Sequence, residues 1–253
     1  MQQKILQAVQ ASATGGHTGI HATCNRLWRL FAWPDMGKVV VKFVCDCNIC
    51  KEAKTERVHA PGLLELLHVP PHAWHMITLD FVEGLPLSRD YSCIMVVVDK
   101  LTRYAHFIPL AHPFSAIQVV NAFMTNIYKL HGLPYAMVSN RDRVFTSTLW
   151  KELFKQAGME LRTSSSYHPQ TDGTTERVNQ CMVTYLRCFV HCCPQRWFQW
   201  IHLAEFWYNT ASHSVLCSSP FEVLYGQPLF ILGSMMLLPW HHWIYLRGSK
   251  SGK

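Results

Sequence analysis

The sequence lacks an apolar segment long enough to cross a bilayer. Its most apolar stretch, Leu229 to Leu246, is interrupted by Gly233, Pro239 and two histidines before it reaches the roughly 20 apolar residues that a span needs. The first ten residues also lack the basic segment followed by an apolar one that marks a secretory leader. We therefore expect no membrane anchor and an intracellular protein whose ten cysteines are reduced.

A polybasic tail, an internal repeat and a low-complexity tract are also missing. Lysine and arginine nevertheless outnumber aspartate and glutamate by 23 to 16, and this surplus is spread along the chain. Such a surplus favours polyanionic partners without proving one. The length of 253 residues, with 49% hydrophobic residues, is sufficient for one sizeable core and a small additional domain.

The N-terminal part has the pattern of a small helical domain. Ile5 to Gln10 predicts a short helix, Thr18 to Phe31 has helical apolar spacing, and a turn at residues 33–35 precedes a third helix. The stretch Lys51 to Arg57 is charged and linker-like. We therefore place a first domain at 1–56, a linker at 57–70, a second domain at 71–226 and a divergent tail at 227–253.

Residues beyond Trp74 alternate between strand and helix patterns. The predicted strands are Ile77–Val82, Ile94–Val98, Tyr104–Leu110, Ala136–Ser139 and Glu160–Thr163, the first three forming an antiparallel meander. The predicted helices are Ser115–Leu130, Leu149–Ala157, Thr174–Val190 and Trp197–Thr210, with a polar loop at Ser164–Gly173. This order predicts an α/β sandwich of the ribonuclease-H kind.

Two groups of residues have the character of metal ligands. Cys47 and Cys50 have the C-x2-C spacing with which two thiolates grip one zinc ion, and a domain of this size needs such a staple. The alternative is two incidental cysteines. Asp80 at a strand end and Glu176 on a later helix are the second group, because carboxylates brought together in this way hold magnesium for phosphoryl transfer.

Six ordered motifs resemble the integrases of gypsy-type LTR retrotransposons. They are LDFVEGLP at 79–86, VVVDK at 96–100, HGLP at 131–134, YHPQTDG at 167–173, AEFWYNT at 204–210 and PFEVLYG at 220–226. The resemblance covers about residues 5 to 228. It implies a helical His-His-Cys-Cys zinc domain, to which His17, Cys47 and Cys50 would contribute, followed by a ribonuclease-H-like core with a five-stranded mixed sheet flanked by helices.

The resemblance also implies a reaction and its partners. Integrases of this kind trim the ends of the element's DNA and then join the 3′ hydroxyls to target DNA, helped by two Mg²⁺ or Mn²⁺ ions about 4 Å apart. We therefore expect DNA as partner, a homo-oligomer and a nuclear location.

The family's three carboxylates would fall on Asp80, position 140 and Glu176, but position 140 is Asn140. Its flanks fit the family pattern in frame, so the residue itself has changed. An amide oxygen brings no negative charge to a magnesium ion. We therefore expect weakened metal binding and largely lost strand transfer, with Asp80 and Glu176 as the remaining magnesium ligands.

The zinc domain departs from the family in a similar way. The family's first histidine falls where this sequence has Gln10, and glutamine is a poor zinc ligand. His21 is a candidate substitute, because His17 and His21 would share one face of a helix at i, i+4 spacing.

Other polar residues near these motifs suit contact with DNA phosphates. Basic side chains beside a phosphoryl-transfer site position DNA through its backbone. The candidates are Lys100, Arg141, Arg143, Tyr167, His168, Gln170 and Arg177. Taken singly, a solvated surface residue is the competing interpretation of each.

Three interpretations remain open at this stage. In the first, the chain is an integrase by descent, a decayed or truncated copy that lacks the usual basic C-terminal module and has lost efficient catalysis. In the second, it is an inert DNA-binding or dimerising module. In the third, it is the product of an unexpressed pseudogene.

Overall fold

The computed structural model describes residues 2–53, 69–139, 147, 150, 158, 160–163 and 169–229, without the side chains of 53, 162–163 and 169–173. The predicted linker 57–70 falls largely outside these residues, as do most of the predicted helix Leu149–Ala157 and of the tail 227–253. None of the described helices is long and apolar enough to traverse a membrane.

Four short helices form the N-terminal domain. They are α1 (Gln2–Leu6), which continues into a π-helical turn at Gln7–Ala11, α2 (Ile20–Trp28), α3 (Met36–Cys45) and α4 (Asn48–Ala53). Their shared core contains Leu6, Val9, Leu27, Val40 and Val44. The helix expected at Thr18–Phe31 is shorter at both ends, because Gly19 is still extended and α2 begins only at Ile20. Helix α4 occupies the start of the stretch read from sequence as a linker.

Five strands form one mixed sheet in the described residues. They are β1 (Met76–Val82), β2 (Cys93–Asp99), β3 (Ala105–Leu110), β4 (Ala136–Ser139) and β5 (Glu160–Thr163), in the order β3-β2-β1-β4-β5. The first three are antiparallel neighbours, which confirms the predicted meander, and β1, β4 and β5 run parallel.

The remaining helices cover both faces of the sheet. They are α5 (Ala116–Phe123), a π-helical turn at Met124–Tyr128, α6 (Lys129–His131), α7 (Pro169–Val190), a 3₁₀ turn at Pro194–Gln199, α8 (Ile201–Thr210) and α9 (Pro220–Tyr225). The predicted start of α7 at Thr174 is wrong, because the helix begins at Pro169 within the expected loop. Proline is favoured in a first helical turn, where its missing N–H has no partner to lose.

Strand β2 shows how one sequence segment serves two cores. Its seven residues are all buried, and alternate side chains point to opposite faces of the sheet. Met95 and Val97 belong to the cluster that includes Phe123 of α5, whereas Val96 and Val98 belong to the cluster that includes Met182 of α7. The predicted α/β class with helices flanking a five-stranded mixed sheet is confirmed.

The N-terminal domain packs against α7 and α8 of the second domain. The Tyr185 hydroxyl donates to the carbonyl of Ala13 at 2.7 Å, and the Trp207 indole Nε1 donates to the carbonyl of Gly15 at 3.2 Å. Gly16 adopts φ +62°, and a Cβ there would lie 2.1 Å from Trp207 Nε1. Only glycine therefore permits this close approach.

Candidate active site and zinc centre

Asp80 lies near the carboxyl end of β1 and is half-buried. Its Oδ1 accepts a hydrogen bond from the Phe81 backbone N–H at 2.9 Å, and its Oδ2 accepts one from Asn179 Nδ2 at 2.8 Å. These two bonds fix the direction of the carboxylate at the edge of the sheet.

The strand beside β1 leads toward the second family position. Strands β1 and β4 are parallel, and their described register ends with Leu79 paired to Ser139. Asp80 directly follows Leu79, and position 140 directly follows Ser139. The carboxyl ends of neighbouring parallel strands lie at the same end of the sheet. Asn140 itself lies outside the described residues, so its predicted proximity to Asp80 stays a prediction.

Helix α7 is fixed on β1 by two hydrogen bonds one helical turn apart. Thr175 Oγ1 donates to Thr78 Oγ1 at 2.7 Å, and Asn179 donates to Asp80. Glu176 lies between these two contacts in sequence and is exposed to solvent. The helix therefore carries Glu176 alongside the strand that holds Asp80.

Sequence reasoning did not single out Asn179 as a site residue. It stands i+4 from Thr175 and i+3 from Glu176, so the same helical face was the available signal. Its Oδ1 is buried without a hydrogen-bond partner among the described residues. An amide that directs the Asp80 carboxylate is thus part of the site.

A cationic cluster lies beside the start of α7. Arg103 Nη1 donates to Thr174 Oγ1 at 2.7 Å. Burial lowers the pKa of Arg103, and Arg177 lowers it further against opposing contributions from Tyr208 and Asp99. Burial likewise lowers the pKa of His213, as do Arg103 and Arg177. Arg103 and Arg177 therefore lie close enough for their charges to interact.

The predicted DNA contacts are only partly described. Arg177 is exposed beside Glu176. The Lys100 backbone N–H donates to the carbonyl of Met76 at 3.0 Å, which places its backbone at the opposite end of β1 from Asp80. Four candidates, Arg141, Arg143, Tyr167 and His168, lie outside the described residues, as does the side chain of Gln170.

The predicted zinc ligands His17, Cys47 and Cys50 come together. Their candidate donor atoms all lie within 4.8 Å of one another. His17 Nδ1 is 3.4 Å from Cys47 Sγ and 3.7 Å from Cys50 Sγ. A nitrogen and two sulfurs are three of the four donors that a tetrahedral zinc site needs.

His21 does not join this group in the described structure. The expectation assumed that His17 and His21 share one helix, but His17 precedes α2, with φ 48°, and His21 is exposed on the helix. The i, i+4 argument fails because the first member is not helical. Gln10 is instead fully buried, with Nε2 3.3 Å from Cys50 Sγ.

Residues 12–19, between the π-helical turn and α2, form a loop that is called the zinc loop because it contains His17. A cleft of about 770 Å³ lies between this loop and helices α7 and α8. Its walls include Gly16, His17 and Gly19 on one side and Asn179, Trp207 and His213 on the other. One end of the cleft is therefore adjacent to the residue that binds Asp80.

Comparison with known proteins agrees with this architecture. Residues 1–56 match the integrase zinc binding domain family. A structure of the simian T-cell lymphotropic virus intasome in complex with PP2A regulatory subunit B56 gamma matches at a TM-score of 0.53 and 15% identity, covering 85% of this chain and 73% of that chain. At this identity the likeness shows the fold alone, a small helical domain followed by a five-stranded mixed sheet flanked by helices.

Transposon polyproteins of Schizosaccharomyces pombe (strain 972 / ATCC 24843) are similar in sequence. The Tf2-3 polyprotein is 32% identical over 210 residues, which are 83% of this chain and 16% of the polyprotein. The Tf2-4 polyprotein matches with the same figures. The chain is thus similar to one part of these transposon polyproteins and spans only 16% of their length.

Proposed function

We propose that the chain is the zinc-binding region and catalytic core of a gypsy-type LTR-retrotransposon integrase, and that Asn140 impairs catalysis. Its reactions would be 3′-end processing and strand transfer on DNA, in a nuclear homo-oligomer. The proposed domains are zinc-binding at 1–56, linker at 57–70, core at 71–226 and tail at 227–253. The main support is the contact between Asn179 and Asp80, which fixes the helix that carries Glu176 beside the strand end.

The residues fit magnesium only in part. Asp80 and Glu176 are oxygen donors of the kind that magnesium prefers, and Asp80 is already oriented by two hydrogen bonds. Asn140 would contribute an amide in place of the third carboxylate. Bound divalent ions would neutralise phosphate charge and activate the attacking oxygen. With one negative charge fewer, we propose that this site holds such ions weakly.

The chain's own groups would position DNA. Arg177 and the partly buried Arg103 are set to bind backbone phosphates, and the other proposed contacts are Lys100, Arg141, Arg143, Tyr167, His168 and Gln170. Phosphate contacts fix the register of DNA without reading its sequence. Such positioning brings the scissile phosphate to Asp80 and Glu176.

Strand transfer on a labelled oligonucleotide that resembles the element's end tests the proposal, with Mg²⁺ and with Mn²⁺. We expect Asn140→Asp to raise the rate by about 100-fold or more, because metal-assisted charge stabilisation contributes several kcal/mol. In the Asn140→Asp background, Asp80→Asn should abolish the gain, whereas the matched control Asp90→Asn, at an exposed aspartate, should keep it. Robust activity of the wild-type chain would refute impairment by Asn140, and silence of every variant would refute a competent core.

A second candidate function is an inert DNA-binding module. The neighbouring guanidinium groups of Arg103 and Arg177 favour it, together with the net charge of +7. Arg177→Ala should weaken DNA binding and reduce the salt dependence by about one phosphate contact. The control Arg196→Ala changes an exposed arginine on the 3₁₀ turn and should have less effect. DNA binding that disappears at low salt would contradict this function.

A further inference from the structure

Gln10 adjoins the candidate zinc ligands His17, Cys47 and Cys50, with its Nε2 3.3 Å from Cys50 Sγ. Its side chain is fully buried in the π-helical turn at Gln7–Ala11. The His17 backbone N–H donates to the carbonyl of Gln10 at 2.8 Å, so the two residues are fixed side by side. Cys50 contacts both of their side chains.

The carboxamide of Gln10 has an unused acceptor. Oε1 is buried and has no hydrogen-bond partner among the described residues, although buried amide oxygens almost always have one. Nε2, the other terminal atom, is directed at Cys50 Sγ. A half-turn about the Cγ–Cδ bond exchanges the two atoms, since the carboxamide is nearly symmetric in shape. Oε1 would then lie where Nε2 lies now, 3.3 Å from Cys50 Sγ.

The distances within the group suit one tetrahedral ion. At the tetrahedral angle, zinc bonds of about 2.3 Å to sulfur and about 2.0–2.2 Å to nitrogen or oxygen place a sulfur ligand about 3.5–3.7 Å from a nitrogen or oxygen ligand. The observed separations are 3.4 Å for His17 Nδ1 to Cys47 Sγ, 3.7 Å for His17 Nδ1 to Cys50 Sγ and 3.3 Å for the Gln10 amide to Cys50 Sγ.

Charge balance also permits glutamine. Two thiolates already cancel the charge of Zn²⁺, so the remaining two donors can both be neutral, and glutamine is neutral just as histidine is. We infer that Gln10 supplies the fourth zinc ligand through Oε1, which makes a Gln-His-Cys-Cys site. The inference rests on the zinc binding proposed above and is independent of strand transfer.

The experiment measures zinc affinity and cobalt spectra of the full chain after removal and return of metal. Gln10→Leu keeps the side-chain volume and removes the donor, so we expect zinc affinity to fall by about tenfold or more. Gln10→His should bind at least as tightly as the wild type, because imidazole is the better zinc donor. In the cobalt-substituted chain, both variants should shift the visible ligand-field bands while the thiolate charge-transfer band remains.

Two matched controls isolate the ligand role. Gln7→Ala changes an exposed glutamine in the same turn, and Cys45→Ser changes an exposed cysteine next to the site, and neither should alter affinity or spectra. Circular dichroism checks that Gln10→Leu retains its helices.

Each other result overturns the inference. Equal zinc affinity and unchanged cobalt bands in Gln10→Leu would mean that another group, such as water, is the fourth ligand, and zinc binding itself would stand. Binding by Gln10→His with none by the wild type would show that glutamine does not serve. Failure of all variants to bind would remove the proposed zinc function as well.

Discussion

Replacement of Gly16 by alanine tests how the zinc domain sits on the core. An added Cβ would lie 2.1, 2.3 and 2.5 Å from Nε1, Cδ1 and Cε2 of Trp207, well inside van der Waals contact. Alanine would also have to adopt φ +62°, which costs about 1–2 kcal/mol. Overpacking adds about 1–3 kcal/mol. Together they should lower the free energy of unfolding by about 2–5 kcal/mol.

Urea unfolding with excess zinc measures this cost, and a double-mutant cycle assigns it. Trp207→Ala removes the ring that the new methyl group meets, so Gly16→Ala should cost less in that background, by about 1–3 kcal/mol. The control Gly37→Ala lies on α3, with open space around its Cβ, and should stabilise the protein by about 0.5–1 kcal/mol. A Gly16→Ala cost limited to backbone strain, with no relief from Trp207→Ala, would refute the docked arrangement.

Three further predictions concern stability. Burial, and then His106, lowers the pKa of His131 to about 4, whereas the pKa in the unfolded chain is about 6.5. The free energy of unfolding should therefore fall by about 1–2 kcal/mol as the pH drops from about 6.5 to about 4, a value reduced for the partial exposure of His131. His131→Phe should flatten this pH dependence in urea unfolding. Asn209→Ala should cost about 2–4 kcal/mol in urea unfolding, because it leaves the Ala105 N–H and carbonyl buried without their partners. Ser219→Ala should cost about 1 kcal/mol in thermal unfolding, because Ser219 caps α9 by accepting from the Glu222 N–H.

Controls for these predictions come from exposed positions. His191→Gln should leave the pH dependence of stability intact, and Asn121→Ala should stay within about 0.5 kcal/mol of wild type. An unaltered pH profile in His131→Phe, or costs below about 0.5 kcal/mol for Asn209→Ala and Ser219→Ala, would contradict the corresponding argument.

The sheet could be predicted from the sequence because its strands are short apolar runs. Strand β2 reads almost entirely as valine, isoleucine and methionine, since both of its faces are buried. The start of α7 could not be predicted in the same way, because the residues after Pro169 are polar and carry no apolar period. Helix formation there also conflicts with the glycine at 173, which favours a loop in isolation.

The sequence likewise predicts those candidate site residues that follow from local spacing, and misses those that depend on contacts between distant elements. The C-x2-C spacing predicts Cys47 and Cys50 directly, because both lie on one short local segment. His21 was a candidate only if it shared a helix with His17, and that depended on where α2 begins. The contacts of Gln10 with Cys50 and of Asn179 with Asp80 depend on how separate elements approach each other, across 40 and 99 residues of chain. Local patterns do not contain that information.

The zinc loop connects the candidate zinc site with α7, the helix that carries Glu176. The His17 ring has its Nδ1 toward the two sulfurs and lies 5.5 Å, centroid to centroid, from the Phe189 ring on α7. The same loop is bonded to α8 through Gly15 and Trp207. A metal ion bound to the His17 imidazole would therefore also hold the ring that contacts Phe189 of α7. The same helix carries Asn179 and Glu176. The segment between the π-helical turn and α2 therefore contacts both α7 and α8.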